Sequence, residues 1–183
     1  MDPSDPLNTT LEALHPAAAA CLSPLGRRMF FPMGIPAQAG EARSAKINAT
    51  IGQLTNGAGR AMPLPAVANC LSGVSLEEAT LYAPQGGNKD LRTAWLNRLN
   101  AFGPGPKSLP FCTVGLTQGL SLLGDLFVDT DTDVLLPDPG WGNYNHIFRV
   151  KHGARIIRYP VFQDGSFCSD AIEKALAQIK NTG

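Results

Sequence analysis

Beyond residue 110 the chain alternates short apolar runs with longer stretches of helical periodicity. "FCTVG" (111–115), "DVLLP" (133–137) and "ARIIRYPV" (154–161) have the length and apolar character of buried strands. Each leads into a segment with helical patterning: "LTQGLSLLGDLF", "GNYNHIFRVKHG" and "SDAIEKALAQIK". The last reads as capped by Ser169, with acidic residues in its first turn. Three successive strand–helix units predict a parallel sheet covered by helices, and therefore the α/β class. Ligands of such sheets sit beyond the carboxyl ends of the strands. Gly115 and Trp141 both fall there in this reading.

The first 110 residues follow a different rhythm. Residues 7–21 read as a helix, with Thr10 as a candidate cap and a break at His15-Pro16. Residues 22–44, rich in Pro and Gly, read as irregular chain. "KINATIG" (46–52) alternates apolar and polar positions, which suits a short strand or an extended segment. "NGAGR" is a turn, "LPAVANCLSG" and "SLEEA" are short helices, and "YAPQGG" is a loop. A longer helix is expected from Asn88 to Phe102, with Leu91, Ala94, Trp95 and Leu99 on one face, which makes Trp95 a core or interface residue.

Composition narrows the function classes. Lys+Arg and Asp+Glu both number 15, so the formal net charge is zero. There is no electrostatic argument for nucleic acid or an anionic membrane as a partner. Cys21, Cys70, Cys112 and Cys168 have neither zinc-site nor disulfide-scaffold spacing, which suits thiols in a reducing, cytoplasmic compartment. His15, His146 and His152 show no metal-ligand spacing.

Two places invite chemistry. "TVGLTQGL" joins an apolar run to a helix through Gly115, and a helix start offers N–H groups and a positive dipole end to an anion. Thr117 adds a hydroxyl there; a plain tight turn is the other reading of the same glycine. Trp141 stands between the turn residues Gly140 and Gly142, where it either packs internally or stacks on a ring bound beside that anion. The pattern is neither G-x-G-x-x-G nor a P-loop, which disfavours dinucleotides and nucleoside triphosphates.

The segments "NATIG", "YAPQGGNKDLR", "TVGLTQGL" and "PDPGWGNYNHIF", in that order, resemble the class I/II pyridoxal-phosphate-dependent aminotransferases, the aspartate aminotransferase-like group of fold type I. The resemblance runs over roughly residues 46 to 180. It implies a three-layer parallel sheet, incomplete here, as the first part of a large domain over 46–183, with residues 1–45 an N-terminal helix and irregular arm. It implies pyridoxal 5'-phosphate as cofactor, with Gly115, Leu116 and Thr117 in the phosphate turn and Trp141 stacked on the pyridine ring. Tyr82 would reach the cofactor phosphate of a partner subunit in a homodimer. Ile51 and Gly52 would line the pocket for the amino acid and 2-oxo acid substrates, with Gly52 near the substrate carboxylate. None of the lysines (Lys46, Lys89, Lys107, Lys151, Lys174, Lys180) matches the context of the family's Schiff-base lysine. The resemblance therefore implies an N-terminal portion with no catalytic residue in this chain. A lyase or synthase on the same scaffold, or a non-catalytic fragment, are the alternatives.

Overall fold

A computed structural model of the chain describes residues 4–30, 34–103 and 108–180. They fall into two compact units, residues 1–34 with 115–183, and residues 35–114.

The first unit is built on a βαβ crossover. Strand β1 (Asp133–Asp138) pairs in parallel with β2 (Arg155–Pro160), from Asp133 opposite Arg155 to Asp138 opposite Pro160. Between them runs a helix whose Asn145–Val150 stretch is π-helical. Its widened spacing is visible where the Lys151 N–H donates to the carbonyl of His146, five residues back. Helix α8 (Gly115–Phe127) packs on that segment. Ile147, Phe148 and Ala154 form the buried centre, with Leu120, Val128, Val134, Tyr144 and Ile156 packed around it. Each large side chain buried there contributes roughly 1.5 to 3 kcal/mol relative to exposure. Polar contacts reinforce the α8 interface: Lys151 Nζ lies 2.6 Å from Asp125 and donates to Ser121 Oγ at 2.9 Å. Helix α9 (Ala171–Lys180) packs against β2, with Ala171 and Ala175 buried.

This confirms the α/β class and parallel pairing of "DVLLP" with "ARIIRYP". It corrects other expectations. "FCTVG" forms no strand. Residues 111–114 group with the second unit, where Cys112 N–H donates to the carbonyl of Gly86. A short apolar run reads alike whether it enters a sheet or a packed loop. The cap position of α9 is held by Asp170 rather than Ser169, because the Asp170 carbonyl accepts the first helical bond, from Lys174 N–H. A hairpin also goes beyond the expected pattern: β3 (Phe162–Gln163) and β4 (Ser166–Phe167) are antiparallel, joined by Asp164 and Gly165, both at positive φ.

At the N-terminus α1 (Asp5–Leu14) begins two residues before the expected start, with Ser4 at its cap position. Thr10 lies inside it and its hydroxyl donates to the carbonyl of Pro6 at 2.9 Å. The break at His15-Pro16 is present, and α2 (Pro16–Ala20) follows. The stretch read as irregular contains α3 (Pro24–Arg28), whose cap Ser23 accepts from Gly26 N–H, and, in the second unit, α4 (Ile35–Glu41). In α3 the proline falls at the start of the helix, where a missing N–H costs nothing.

The second unit continues with α5 (Pro65–Leu71), α6 (Leu76–Thr80) and α7 (Lys89–Ala101). All three occupy their expected places. Ser75 and Glu78 close a reciprocal capping box on α6, and Asn88 caps α7 by accepting from Asp90 and Leu91 N–H. "KINATIG" forms bends, not a strand: Asn48 Oδ1 accepts from Thr50 N–H and Oγ1, turning the chain locally. "NGAGR" is the expected turn, with Asn56 Oδ1 accepting from Ala58 and Arg60 N–H. Trp95 is 50% exposed, so it is not a core residue of this unit. Lys107 lies outside the described residues.

Candidate functional site

Helix α8 opens at Gly115, whose φ of 76° is left-handed and whose Cβ direction meets nothing within 4 Å. A side chain there would be strained even though space is available. Leu116 and Thr117 follow in the first turn, and all three residues are exposed. The first-turn amides of any α-helix lack carbonyl partners within the helix, and they point along the positive end of its dipole. Because 111–114 is not a strand, the turn is reached from a loop and not from a sheet edge.

Trp141 is placed by a tightly folded segment beyond the carboxyl end of β1. The Asp138–Pro139 peptide is cis. Gly140 packs so close to the Pro137 carbonyl oxygen that an added Cβ would lie 2.5 Å from it. Arg158, on β2, donates to the same carbonyl at 3.4 Å. Trp141 itself is half-buried and meets Tyr144 edge-on, with ring centroids 5.5 Å apart and planes at 86°. Tyr144 in turn stacks on Phe148 at 6.4 Å, so the row leads from the core to the Trp141 loop. The α8 start and the Trp141 loop belong to the same unit.

Tyr82, Ile51 and Gly52 belong to the other unit. Tyr82 is fully exposed, and the loop it stands in agrees with the reading of "YAPQGG". Ile51 is exposed in the bend after Thr50, and its carbonyl accepts from Gln53 N–H at 2.8 Å. A Cβ added to Gly52 would meet nothing within 4 Å. Among the described residues, no group of His, Cys, Asp and Glu is arranged to hold a metal ion.

Electrostatics in the first unit favour fixed ion pairs. The hydrogen bond from Lys151 holds the Asp125 carboxyl below its ordinary range. Arg155, in a two-pronged pair with Asp133, does the same for that carboxyl. Lys174 is bound to Asp170 at 2.6 Å. Asp170 also accepts from the Cys168 thiol, pushing it up, away from the reactive thiolate form.

Residues 44–182 match the family model described as aminotransferase class I and II. The chain belongs to the class I and II aminotransferase family. Mitochondrial aspartate aminotransferase of Saccharomyces cerevisiae is 28% identical over 139 residues, which is 68% of this chain and 31% of that protein. A crystal structure of an aminotransferase from Anaerococcus prevotii DSM 20548 superposes with a TM-score of 0.68 at 23% identity, covering 81% of this chain and 38% of the other. This aminotransferase-family chain thus spans about a third of the length of these relatives. Among its described residues, no helix is long and apolar enough to cross a membrane.

Proposed function

We propose that this chain is the cofactor-gripping portion of a fold-type-I aminotransferase that moves an amino group between an amino acid and a 2-oxo acid. The observation that carries the proposal is the presence, in one compact unit, of a glycine-led helix start and an edge-supported tryptophan beyond a parallel strand. In this reading residues 46–183 are the first part of the large domain and residues 1–45 its N-terminal arm.

The residues fit pyridoxal 5'-phosphate. Leu116 and Thr117 present first-turn amides to its phosphate, and Thr117 adds a hydroxyl. The open space at Gly115 admits an oxygen close to the backbone. Trp141, braced at its edge by Tyr144, offers a flat surface to the pyridine ring. When bound, the cofactor supplies the electron sink that makes the substrate's α-hydrogen removable. Tyr82, exposed in its loop, reaches the partner subunit's cofactor phosphate in a homodimer, and Ile51 and Gly52 line the substrate pocket. No lysine here stands in the family's context for moving the α-proton: Lys151 is engaged by Asp125 and Ser121, and Lys174 by Asp170. The chain as written therefore holds the cofactor without turning over. Four free cysteines suit a cytoplasmic setting.

Titration of the 183-residue chain with pyridoxal phosphate, followed by tryptophan fluorescence in a Trp95→Phe background, tests this. Binding should quench Trp141 and perturb the amide resonances of Leu116 and Thr117. Trp141→Ala, followed by the same resonances, should weaken binding about tenfold, the size of an aromatic stacking contribution. Unchanged affinity in Trp141→Ala, with silent amides at 116 and 117, would overturn the assignment. Steady transamination above the free cofactor's own rate would refute the absence of a proton-moving lysine.

A further inference from the structure

The loop that carries Tyr82 is fastened at its far end. Arg92, near the start of α7, sets its guanidinium against the α-carbon of Gly86: a Cβ added there would lie 2.6 Å from Nη1 and 2.9 Å from Cζ. Arg92 Nε donates to the carbonyl of Pro110 at 2.5 Å. Cys112 N–H donates to the Gly86 carbonyl at 3.0 Å. The Cys112 thiol fills the space beside Gly87, where an added Cβ would lie 2.4 Å from Sγ. Gly87, at φ 92°, closes a turn by donating to the Pro84 carbonyl at 2.8 Å. Gly86, Gly87, Arg92, Pro110 and Cys112 are half-buried, whereas Tyr82 is fully exposed.

Among the described residues Arg92 makes no ion pair. Its cation is directed at a carbonyl and a glycine face, which joins α7, the 82–87 loop and the run at 110–112. A charged donor makes the stronger kind of hydrogen bond, and a planar guanidinium loses little freedom in making it. Without such a hold, a loop with few buried contacts opens easily. An exposed ring on a fixed base meets another molecule with less ordering cost than one on a loose loop.

We propose that Arg92 is a positioning residue for Tyr82: it holds the 82–87 loop so that the ring is set for the cofactor phosphate of a partner subunit. The role rests on the reading of Tyr82 given under the proposed function.

The first test needs no cofactor. Hydrogen exchange and relaxation order parameters are measured on the full 183-residue chain. Arg92→Ala should speed exchange at Gly87 and Cys112 about tenfold, the loss of one charge-assisted bond, and should lower the order of Tyr82. Helix α5 should be unaffected. Gly86→Ala should have the same effect with α7 intact, because its methyl group pushes the flexible end of Arg92 aside. Arg92→Lys, still able to donate to Pro110, should recover part of the protection. Unchanged exchange in Arg92→Ala and Gly86→Ala, or equal loosening throughout residues 35–114, would overturn the proposal. The second test compares pyridoxal phosphate affinity in the wild-type chain, Arg92→Ala, Tyr82→Phe and the double variant. The single variants should weaken binding by a similar factor, and the double variant no further. A loss in Tyr82→Phe without one in Arg92→Ala would overturn this inference alone. Equal affinity in all of them would remove the role of Tyr82 and that of Arg92 together. Silent amides at 116 and 117 would instead overturn the cofactor reading itself.

Discussion

The unit containing β1 and β2 turns apolar side chains toward one another, whereas the unit of residues 35–114 leaves them in the open. Ile147 and Phe148 are buried between α8 and the sheet. In α5, α6 and α7 no residue is buried, and Leu91, Trp95 and Leu99 stay substantially exposed. Yet two helices of the second unit, α6 and α7, carry side-chain caps. Capping and periodicity thus specify where a helix forms without specifying what it packs on. Local signals settle the element, and only complementary partners settle the core.

That contrast can be broken most directly at the aromatic residues. Phe148→Ala, at a position 8% exposed, should cost about 3 to 5 kcal/mol of stability. Trp95→Ala, at a half-exposed position, should cost less than about 1 kcal/mol, although it removes the larger side chain. Urea unfolding of both variants checks this, and equal losses would show that the units do not differ as described.

A smaller effect is expected at two left-handed glycines. Gly153, at φ 79°, ends the crossover helix, where its N–H donates to Arg149 and the next N–H, of Ala154, to Phe148. An added Cβ would lie 2.8 Å from Thr130 Cγ2. Gly59, at φ 73° in the 56–60 turn, has open space around it. Both alanine variants should lose about 1 to 2 kcal/mol to backbone strain, with Gly153→Ala the worse by the added clash. Thermal midpoints that rank them in reverse would contradict the close packing assigned to the first unit.

The smallest effect concerns acid. Asp125 is held low by Lys151, and Glu78 by its capping contacts with Ser75. A depressed carboxyl contributes stability that is fully present above its unfolded value, about 4. The contribution is lost as pH falls from there through the folded value. The unfolding midpoint should therefore decline below about pH 4. Asp125→Asn should flatten that limb more than Glu78→Gln, because its partner lies on another element. Superimposable profiles for the two variants would remove the distinction.

Much of this architecture is legible in the chain. The runs at 133–137 and 154–160 are strand-like on composition and are bounded by turns, and they pair as expected. The run at 111–115 has the same look and yet forms no strand, since strand formation depends on neighbours that periodicity does not encode. The hairpin at 162–167 carries an Asp-Gly signal strong enough to mark it from sequence. Ser169 against Asp170 is a choice between two good caps, decided by which carbonyl accepts from Lys174. Gly115 and Trp141 stand out because each sits at a turn between patterned segments, a position that can be read along the chain. Tyr82, Ile51 and Gly52 could be named only from the family's pattern, as loop residues have no periodicity to mark them.

The π-helical stretch has a consequence for how this chain tolerates changes in length. A crossover helix with bonds five residues apart carries more chain per unit of distance than an α-helix does. Removing one residue between Asn145 and Val150 would let ordinary four-residue bonds form while both ends stay where β1 and β2 need them. In α8 the same deletion would rotate every following side chain by roughly a quarter to a third of a turn, away from the core. The crossover is thus the natural place for a one-residue gap among otherwise similar sequences.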